Sequence, residues 1–517
     1  MQNHSENTQR IAKNTLMLYG RMLFSMVVSL YTSRVVLNTL GVEDYGIYGV
    51  VGGFVAMFSL ISNSLSSSVS RFLTFELGRG DKERLGRAFS TSLLIHIVLA
   101  GIFIIAAETI GVWFVNNKMT IPTDRMYAAN WVFQASIVSF VFGLFSVPYN
   151  ASIVSHEKMS AFAYIGILDT ILRLIVVLFI AYSPWQFDRL IVYSVLLVVV
   201  SVLLQGIYLV YCRRHFEECR LKISFDKGLW KEISSFAGWN FIGCTAGMLK
   251  DQGVNILLNL FAGPVLNAAR GVATTVNGAV ANFAKNFMTA INPQITKSYA
   301  SNDHEYVGYL VERGSRFSYY ILMFLAIPIL LETDFLLTVW LKQYPEHTVN
   351  FVRLVIILSM VDTLSNSLIT LQNATGKIRN YQLAVGGILL LNFPLSYLCL
   401  EMGLEPESTY VVAIVIAVFC LFARLLFVRK TTALSMSQFL KNVVLNVILV
   451  TAVSVVLPLL CHSIMPAGWT RFLCVGSVSV ISASLSIVYV GCSAGERSFL
   501  FRKIKSFISR ANDKGHE

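Results

Sequence analysis

Six basic side chains interrupt stretches of sequence that are otherwise apolar: Arg21 and Arg34 near the start, then Arg173, Lys250, Arg270 and Lys285. An ionisable group inside a membrane costs about 2.5 to 3.5 kcal/mol on insertion scales, so each needs a partner or a water-filled cavity. Arg173 follows Asp169 by four residues, which puts the two on one helical face as a self-cancelling pair. Arg353 and Arg424 stand near the ends of their apolar stretches, where a long side chain reaches the interface. Among the rest, Asp251 is the one evident carboxylate. Guanidinium and ammonium groups gathered between low-dielectric walls attract anions. Phosphate is the natural ligand, because Arg matches two of its oxygens at once and Lys supplies a point charge. The chemistry expected is capture of the charged head of an anionic amphiphile whose apolar part stays in lipid.

Polar residues recur beside these cations at helical spacing. Asp251, Asn255 and Asn259 follow one another every four residues, and Arg34 and Asn38 repeat the last two positions in the first apolar segment. Arg270, Thr274, Asn277 and Lys285 fall near one stripe flanked by Asn282 and Asn286, and the second segment carries Ser62, Asn63, Ser66, Ser67 and Ser70. Lipid-facing surfaces do not carry such stripes. Interhelical hydrogen bonding accounts for Ser and Asn in membrane bundles, but it does not account for four or five cations. The expected site is therefore a cationic cavity lined by spans one, two, seven and eight. Arg21, Arg34, Lys250, Arg270 and Lys285 are its substrate-binding cations, Asn63, Asn255, Asn277 and Asn282 its polar lining, and Asp251 and Asp362 the candidate ion-coupling carboxylates.

Other chemistry is thinly represented. Cys212, His215 and Cys219 offer three ligands without a fourth, and a structural metal site needs four. Thr375-Gly376-Lys377 lacks the upstream glycine of a phosphate loop, and no zinc-hydrolase motif or nucleophile elbow occurs. His96 is a lone imidazole on an apolar helix and reads as a hydrogen-bonded core residue. Neither a cofactor nor a metal is expected, and the chain does not read as an enzyme.

The elements that must carry these residues follow from composition. With 55% hydrophobic and 14% charged residues over 517 positions, the chain reads as an all-α membrane protein. A template of about 20 apolar residues fits roughly fourteen segments, the second, seventh and eighth being weakest because Ser, Asn, Gly and Thr fill them. Placing both termini in the cytoplasm puts roughly 28 of the 41 Lys and Arg on the inner side and about 5 outside. Inner clusters include Arg71, Arg79, Lys82, Arg84 and Arg87, and Arg213, Arg214, Arg220, Lys222, Lys227 and Lys231. The net charge of +12 is thus a topology signal rather than a nucleic-acid footprint.

A parallel repeat relates Leu37-Asn38, Gly41 and Gly49 to Leu258-Asn259, Gly263 and Gly271, and the turn Gly80-Asp81 to Asn302-Asp303. The expected organisation is a cytoplasmic N-terminal segment (1–14), a six-helix lobe (15–211), a cytoplasmic loop (212–232), a second six-helix lobe (233–428), two further helices (429–493) and a basic cytoplasmic tail (494–517). Phe499, Phe501, Ile504, Phe507 and Ile508 give that tail an apolar stripe suited to a lipid surface.

Three phrases carry a family resemblance: Arg34-Val-Val-Leu-Asn-Thr-Leu-Gly-Val-Glu-Asp-Tyr-Gly-Ile-Tyr, Pro148-Tyr-Asn-Ala-Ser-Ile-Val-Ser-His-Glu-Lys-Met159, and Gln372-Asn-Ala-Thr-Gly-Lys-Ile-Arg379. The chain resembles the polysaccharide-biosynthesis flippases of the multidrug/oligosaccharidyl-lipid/polysaccharide exporter (MOP) superfamily. The resemblance implies two six-helix lobes in a V and movement of an undecaprenyl-diphosphate-linked oligosaccharide from the inner to the outer leaflet of the cell inner membrane. It implies that Arg21, Arg34, Lys250 and Arg270 contact diphosphate or sugar acid. Its partners would be the lipid-linked glycan, membrane lipids and polysaccharide polymerase or assembly proteins, with no nucleic acid. Proton-coupled drug exporters of the superfamily carry an acid in the first helix, where this chain has Arg21 and Arg34. A cation-coupled multidrug exporter and a membrane polymerase or glycosyltransferase are the alternatives. Reporter domains fused to either end should read out as cytoplasmic; a signal from the outer side at either end overturns the expected orientation.

Overall fold

The computed structural model describes residues 2–56, 58–119, 121–183, 187–220, 225–262, 264–432, 434–498 and 501. Lys222, Gly263 and the apolar stripe of the tail other than Phe501 lie outside the described residues. Every regular element described is helical. The chain runs through α1 (Gln2–Ala56), α2 (Ser59–Arg79), α3 (Lys82–Ala106), α4 (Val112–Asn117), α5 (Met126–Ser155), α6 (Met159–Tyr182), α7 (Arg189–His215), α8 (Lys227–Ala262), α9 (Pro264–Ala300) and α10 (His304–Leu331). It continues through α11 (Thr333–Leu341), α12 (Thr348–Thr363), α13 (Asn366–Ala374), α14 (Arg379–Leu390), α15 (Asn392–Glu401), α16 (Ser408–Thr431), α17 (Met436–Phe439), α18 (Asn446–Ile464) and α19 (Trp469–Ser486).

Among the described residues, eleven helical segments are long and apolar enough to cross a membrane. The long helices that miss this threshold are α2, α8 and α9, the three that composition ranks weakest, and with them the chain is consistent with about fourteen spans. The break between the first two spans falls at Gly41, whose φ of 81° and ψ of 171° interrupt α1. A side chain disfavours that conformation, so glycine marks the corner. The two repeated turns also share a backbone solution. Gly80 (φ 76°) and Asn302 (φ 60°) both take the left-handed position that closes a helix, each followed by an aspartate. Asp81 then accepts a hydrogen bond from the Arg84 N–H at 2.9 Å and caps α3.

Contacts group the chain into two units, one of residues 1–245, 289–303 and 373–383, the other of 246–288, 304–372 and 384–517. In the first unit α5 packs on α7 and α2, and α1 on α6. Phe72, Leu73, Phe89, Tyr149 and Ile153 form one buried cluster, and Val51, Phe103, Val132, Phe133 and Leu190 another. In lipid the apolar side chains gain little from meeting each other, so close approach and hydrogen bonds hold helices together. Ser64 Oγ donates to the Ala237 carbonyl at 2.7 Å and Ser68 Oγ to that of Ile233 at 3.2 Å, joining α2 to α8. At Gly78 a Cβ would lie 2.7 Å from the Lys297 carbonyl oxygen, so only glycine allows α2 this close to the end of α9.

In the second unit α12 packs between α10 and α16, and α18 and α19 form a hairpin against α10. Two buried carboxylates hold that hairpin at its two ends. Glu332 receives His462 Nδ1 at 2.9 Å and Arg471 Nε at 2.9 Å. Glu496, its side chain 6% exposed, receives Arg313 Nε at 2.6 Å and Arg316 at 2.8 Å. Tyr320 bonds Asn446, and Tyr319 bonds Thr451 at 3.0 Å. Removing one member of a buried ion pair leaves the other charge stranded, at about 3 to 5 kcal/mol. Glu496→Gln should therefore lower the melting temperature of the purified protein clearly, whereas Arg173→Gln, from a pair 49% and 34% exposed, should leave it nearly unchanged. Equal melting temperatures for wild type and Glu496→Gln would remove the clamp from this account.

Candidate functional site

Seven of the eleven site residues singled out by sequence line two pockets, one in each unit. In the second unit a cavity of about 300 Å³ is lined by Lys250, Asp251 and Asn255 of α8, Arg270, Thr274 and Asn277 of α9, Asp362 of α12, Asn392 of α15, and Thr409 and Tyr410 of α16. Six predicted residues thus meet in one place. Arg270 is buried, donates from one terminal nitrogen to the Asp251 carbonyl at 3.1 Å and lies 5.4 Å from the centre of the Tyr410 ring. Its other terminal nitrogen and the Asn277 amide oxygen are buried without a hydrogen-bond partner among the described residues. Lys250 Nζ stands 3.7 Å from an Asp251 carboxylate oxygen.

The cavity is a mixed-charge site, since Lys250 and Arg270 face Asp251 and Asp362. Sequence reasoning did not foresee Asp362 opposite Lys250, because the two are 112 positions apart and no periodicity links them. Arg424 is also buried, 8% exposed, with its charge acting on Asp362, rather than extended to an interface as its sequence position suggested. Arg353, half-buried near the start of α12, donates to the Leu330 carbonyl at the end of α10 at 3.1 Å. The rotation of α16 about its axis points Arg424 at its neighbours.

The first unit holds a larger pocket, about 590 Å³, between α1, α5, α6 and α7. Arg21 lines it, together with Tyr48, Asn150, Phe162 and Tyr208. The Asp169–Arg173 pair forms as the spacing requires, with Nε 2.7 Å from the carboxylate, and its members also line this pocket. The contribution of α5 and α7 was not read from sequence, because their Ser and Asn residues are scattered through apolar runs without a stripe. Arg34, Asn63, Asn282 and Lys285 stand on exposed stretches and line neither pocket.

Away from the pockets, the three family-like phrases each end in a polar knot of the first unit. Asp44 receives Arg125 at 2.6 and 2.8 Å, and Arg125 also reaches Asp188 at 2.5 Å. Glu157, with a left-handed φ of 58°, is buried and receives Arg10 at 2.9 Å, Lys297 at 2.6 Å and Gln294 at 2.5 Å. Arg71, one of the inner-cluster cations, donates to the Ala374 carbonyl at 3.0 Å and lies over the Phe72 and Phe75 rings. Its guanidinium lies 2.8 Å from where a Cβ on Gly376 would stand. Arg84 and Arg87 pair with Glu76 and Asp226. His96 is fully buried and bonds the Ser92 carbonyl at 2.7 Å. Cys212 and Cys219 are buried thiols directed at Tyr149 and Ser152, and no group suited to a metal occurs among the described residues.

An all-helical chain with many membrane spans and charged pockets enclosed by its helices has the build of a membrane transporter. Its fold is that of the multidrug and toxic compound extrusion (MATE) transporters. A MATE structure in the straight conformation superposes with a TM-score of 0.69 at 13% identity, covering 82% of this chain and 97% of that one. A MOP superfamily transporter from Pyrococcus furiosus, described as having a binding pocket of reverse polarity, gives a TM-score of 0.67 at 12% identity, covering 83% and 96%. The family model of polysaccharide biosynthesis proteins matches residues 10–301, and the chain belongs to that family. The uncharacterized membrane protein EpsK of Bacillus subtilis (strain 168) is 23% identical over 168 residues, 32% of this chain; the match spans 33% of that relative's length.

The Arg125 knot carries a pH test. Burial alone would raise the Asp188 carboxyl, but the Arg125 guanidinium and the N–H groups of Ile191 and Leu190 outweigh it and hold the group below its usual range. A depressed folded value stabilises at pH above the ordinary carboxyl value of about 3.9 and loses that contribution as pH falls through the folded value. Asp188→Asn should therefore lower the melting temperature at pH 7, and the gap to wild type should close below about pH 4. A gap independent of pH would show that the charge contributes nothing.

Proposed function

We propose that this protein is a flippase that carries an undecaprenyl-diphosphate-linked oligosaccharide, an O-antigen or capsule or exopolysaccharide repeat unit, from the inner to the outer leaflet by alternating access. The observation that carries this reading is the family match to polysaccharide biosynthesis proteins in a chain with a transporter fold. The charged pockets are its physical complement. A lipid-linked glycan joins an apolar tail, a polyanionic head and a hydroxyl-rich chain. The tail stays in lipid, while the head and the sugars need donors, acceptors and cations sheltered from the hydrocarbon. Arg270 offers an unpaired buried N–H beside Lys250, the donor set a phosphoryl oxygen accepts. Asp251 and Asp362 beside them give a place where a proton or metal cation would compete with Lys250, which ties occupancy of the pocket to an ion gradient. In this reading the protein sits in the cell inner membrane with both termini in the cytoplasm, and it hands its cargo to polymerase or assembly proteins.

Cation-coupled drug export is the second reading, favoured by that same pair of carboxylates. Reconstituted liposomes with defined lipid-linked glycans separate the two. Protein-dependent flipping is expected, with a drop of about tenfold or more for Lys250→Gln or Arg270→Gln, the size expected for losing a charge-assisted hydrogen bond. Arg34→Gln and Lys285→Gln complete the set. If all four variants insert and flip normally, the anion-binding role of these cations is wrong. If glycans do not move while organic cations do, the export reading replaces the flippase.

A further inference from the structure

A third cavity, about 430 Å³, lies in the first unit between α2, α3 and α8 and shares no lining residue with either charged pocket. Its walls are almost wholly apolar. The polar groups on them are Ser64, whose hydroxyl is spent on the Ala237 carbonyl at 2.7 Å, Ser234 and the Trp230 ring. A held water needs two to four polar partners, which these walls do not supply. Val98 and Ile102 of α3 and Phe241 of α8 line the cavity and are exposed, so it is a groove open at the surface of the unit. On a membrane-spanning bundle an apolar groove of this kind is filled by hydrocarbon. Gly238 keeps it open, since a Cβ there would meet nothing within 4 Å.

The groove has the length of one leaflet and one charged end. From Trp230 to Phe241 the helix rises about 16 Å, roughly half of a hydrocarbon core of about 30 Å. Lys227, Lys231, Ser234, Gly238 and Phe241 follow at steps of four, three, four and three residues, so one face of α8 leads from two lysines into the apolar wall. Trp230 meets the exposed Phe225 ring at 5.7 Å between centres, and aromatic side chains of this kind mark the level of the headgroups. The arginines nearby are occupied: Arg84 by Glu76 at 3.0 Å and Glu232 at 3.3 Å, and Arg87 by Asp226 at 3.5 Å. Lys227 and Lys231 are exposed and have no carboxylate within ion-pair distance among the described residues. Their charge is left for an anion at the membrane surface.

We propose that this groove binds one anionic glycerophospholipid of the surrounding bilayer, with an acyl chain along α3 and α8 and the phosphate at Lys227 and Lys231. The lipid belongs to the leaflet whose headgroups lie level with those lysines, and the proposal stands without the flippase reading. It gives the lipid a structural task. The groove runs beside the α2–α8 joint, which is held by the Ser64 and Ser68 hydrogen bonds, and a chain seated in it packs against both helices there.

The test is photo-cross-linking of the full chain in phosphatidylcholine nanodiscs, with phosphatidylglycerol or phosphatidylcholine carrying a diazirine in one acyl chain as the probe. Cross-links should concentrate on residues 95–102 and 230–241. Phosphatidylglycerol should label them about 10- to 30-fold more than phosphatidylcholine, the range expected for two lysines at a membrane surface. The double variant Lys227→Gln, Lys231→Gln should remove that preference, and Gly238→Leu should abolish labelling by both probes by filling the groove. Both lysines are exposed, so the double variant decides the matter even if Gly238→Leu does not fold. In detergent, added phosphatidylglycerol should raise the melting temperature of wild type and leave that of the double variant nearly unchanged. The proposal falls if cross-links spread evenly over the apolar helices, if the double variant keeps the preference, or if a folded Gly238→Leu is labelled like wild type. It falls as well if undecaprenyl phosphate at equal concentration displaces phosphatidylglycerol, which would give the groove to a polyprenyl tail.

Discussion

Inside hydrocarbon a charge must be paired, bonded or wetted, and that requirement organises this molecule more than apolar packing does. Leu and Val contacts are cheap to exchange for lipid, so they do not by themselves choose one arrangement of helices. Buried carboxylates do. Glu157, Glu332 and Glu496 each draw two basic groups from distant parts of the chain, and each would be costly to strand. The hairpin of α18 and α19 is placed on α10 in this way, and Arg71 fixes the turn at Gly376 by satisfying a carbonyl there.

The same requirement defines the pockets by contrast. Where charges are fully matched they serve as structural knots. At Arg270, Asn277 and Asn150 a buried donor or acceptor without a partner among the described residues lines a cavity, and the Arg21 guanidinium lines one too. The second pocket sets Lys250 and Arg270 with Asp251 and Asp362, and the first sets Arg21, over the Phe162 ring, with the Asp169–Arg173 pair. The weak spans α2, α8 and α9 belong to this logic. Their Ser, Asn and Gly residues forfeit lipid solubility, and in exchange they supply hydrogen bonds to neighbours at Ser64 and Ser68 and a close crossing at Gly78.

Sequence alone determined whatever depends on neighbours in the chain. Apolar length gave the helices and their approximate number, the i,i+4 spacing gave the Asp169–Arg173 pair, and composition marked α2, α8 and α9 as unlike lipid-facing spans. Gly80 and Asn302 were legible as corresponding turns because a helix end needs a left-handed residue. Most of what α8 and α9 bring to the second-unit pocket was legible too, since their polar stripes repeat at helical spacing, but most of what α12, α15 and α16 bring was not. What only the tertiary structure decided is how each helix is rotated about its axis. That rotation turned Arg424 inward, set Asp362 and Lys250 on one pocket, and enclosed Arg21 with α5, α6 and α7 beside the Asp169–Arg173 pair. A helix's own sequence fixes which residues share a face, but the neighbour that face meets is set by contacts between segments far apart in the chain.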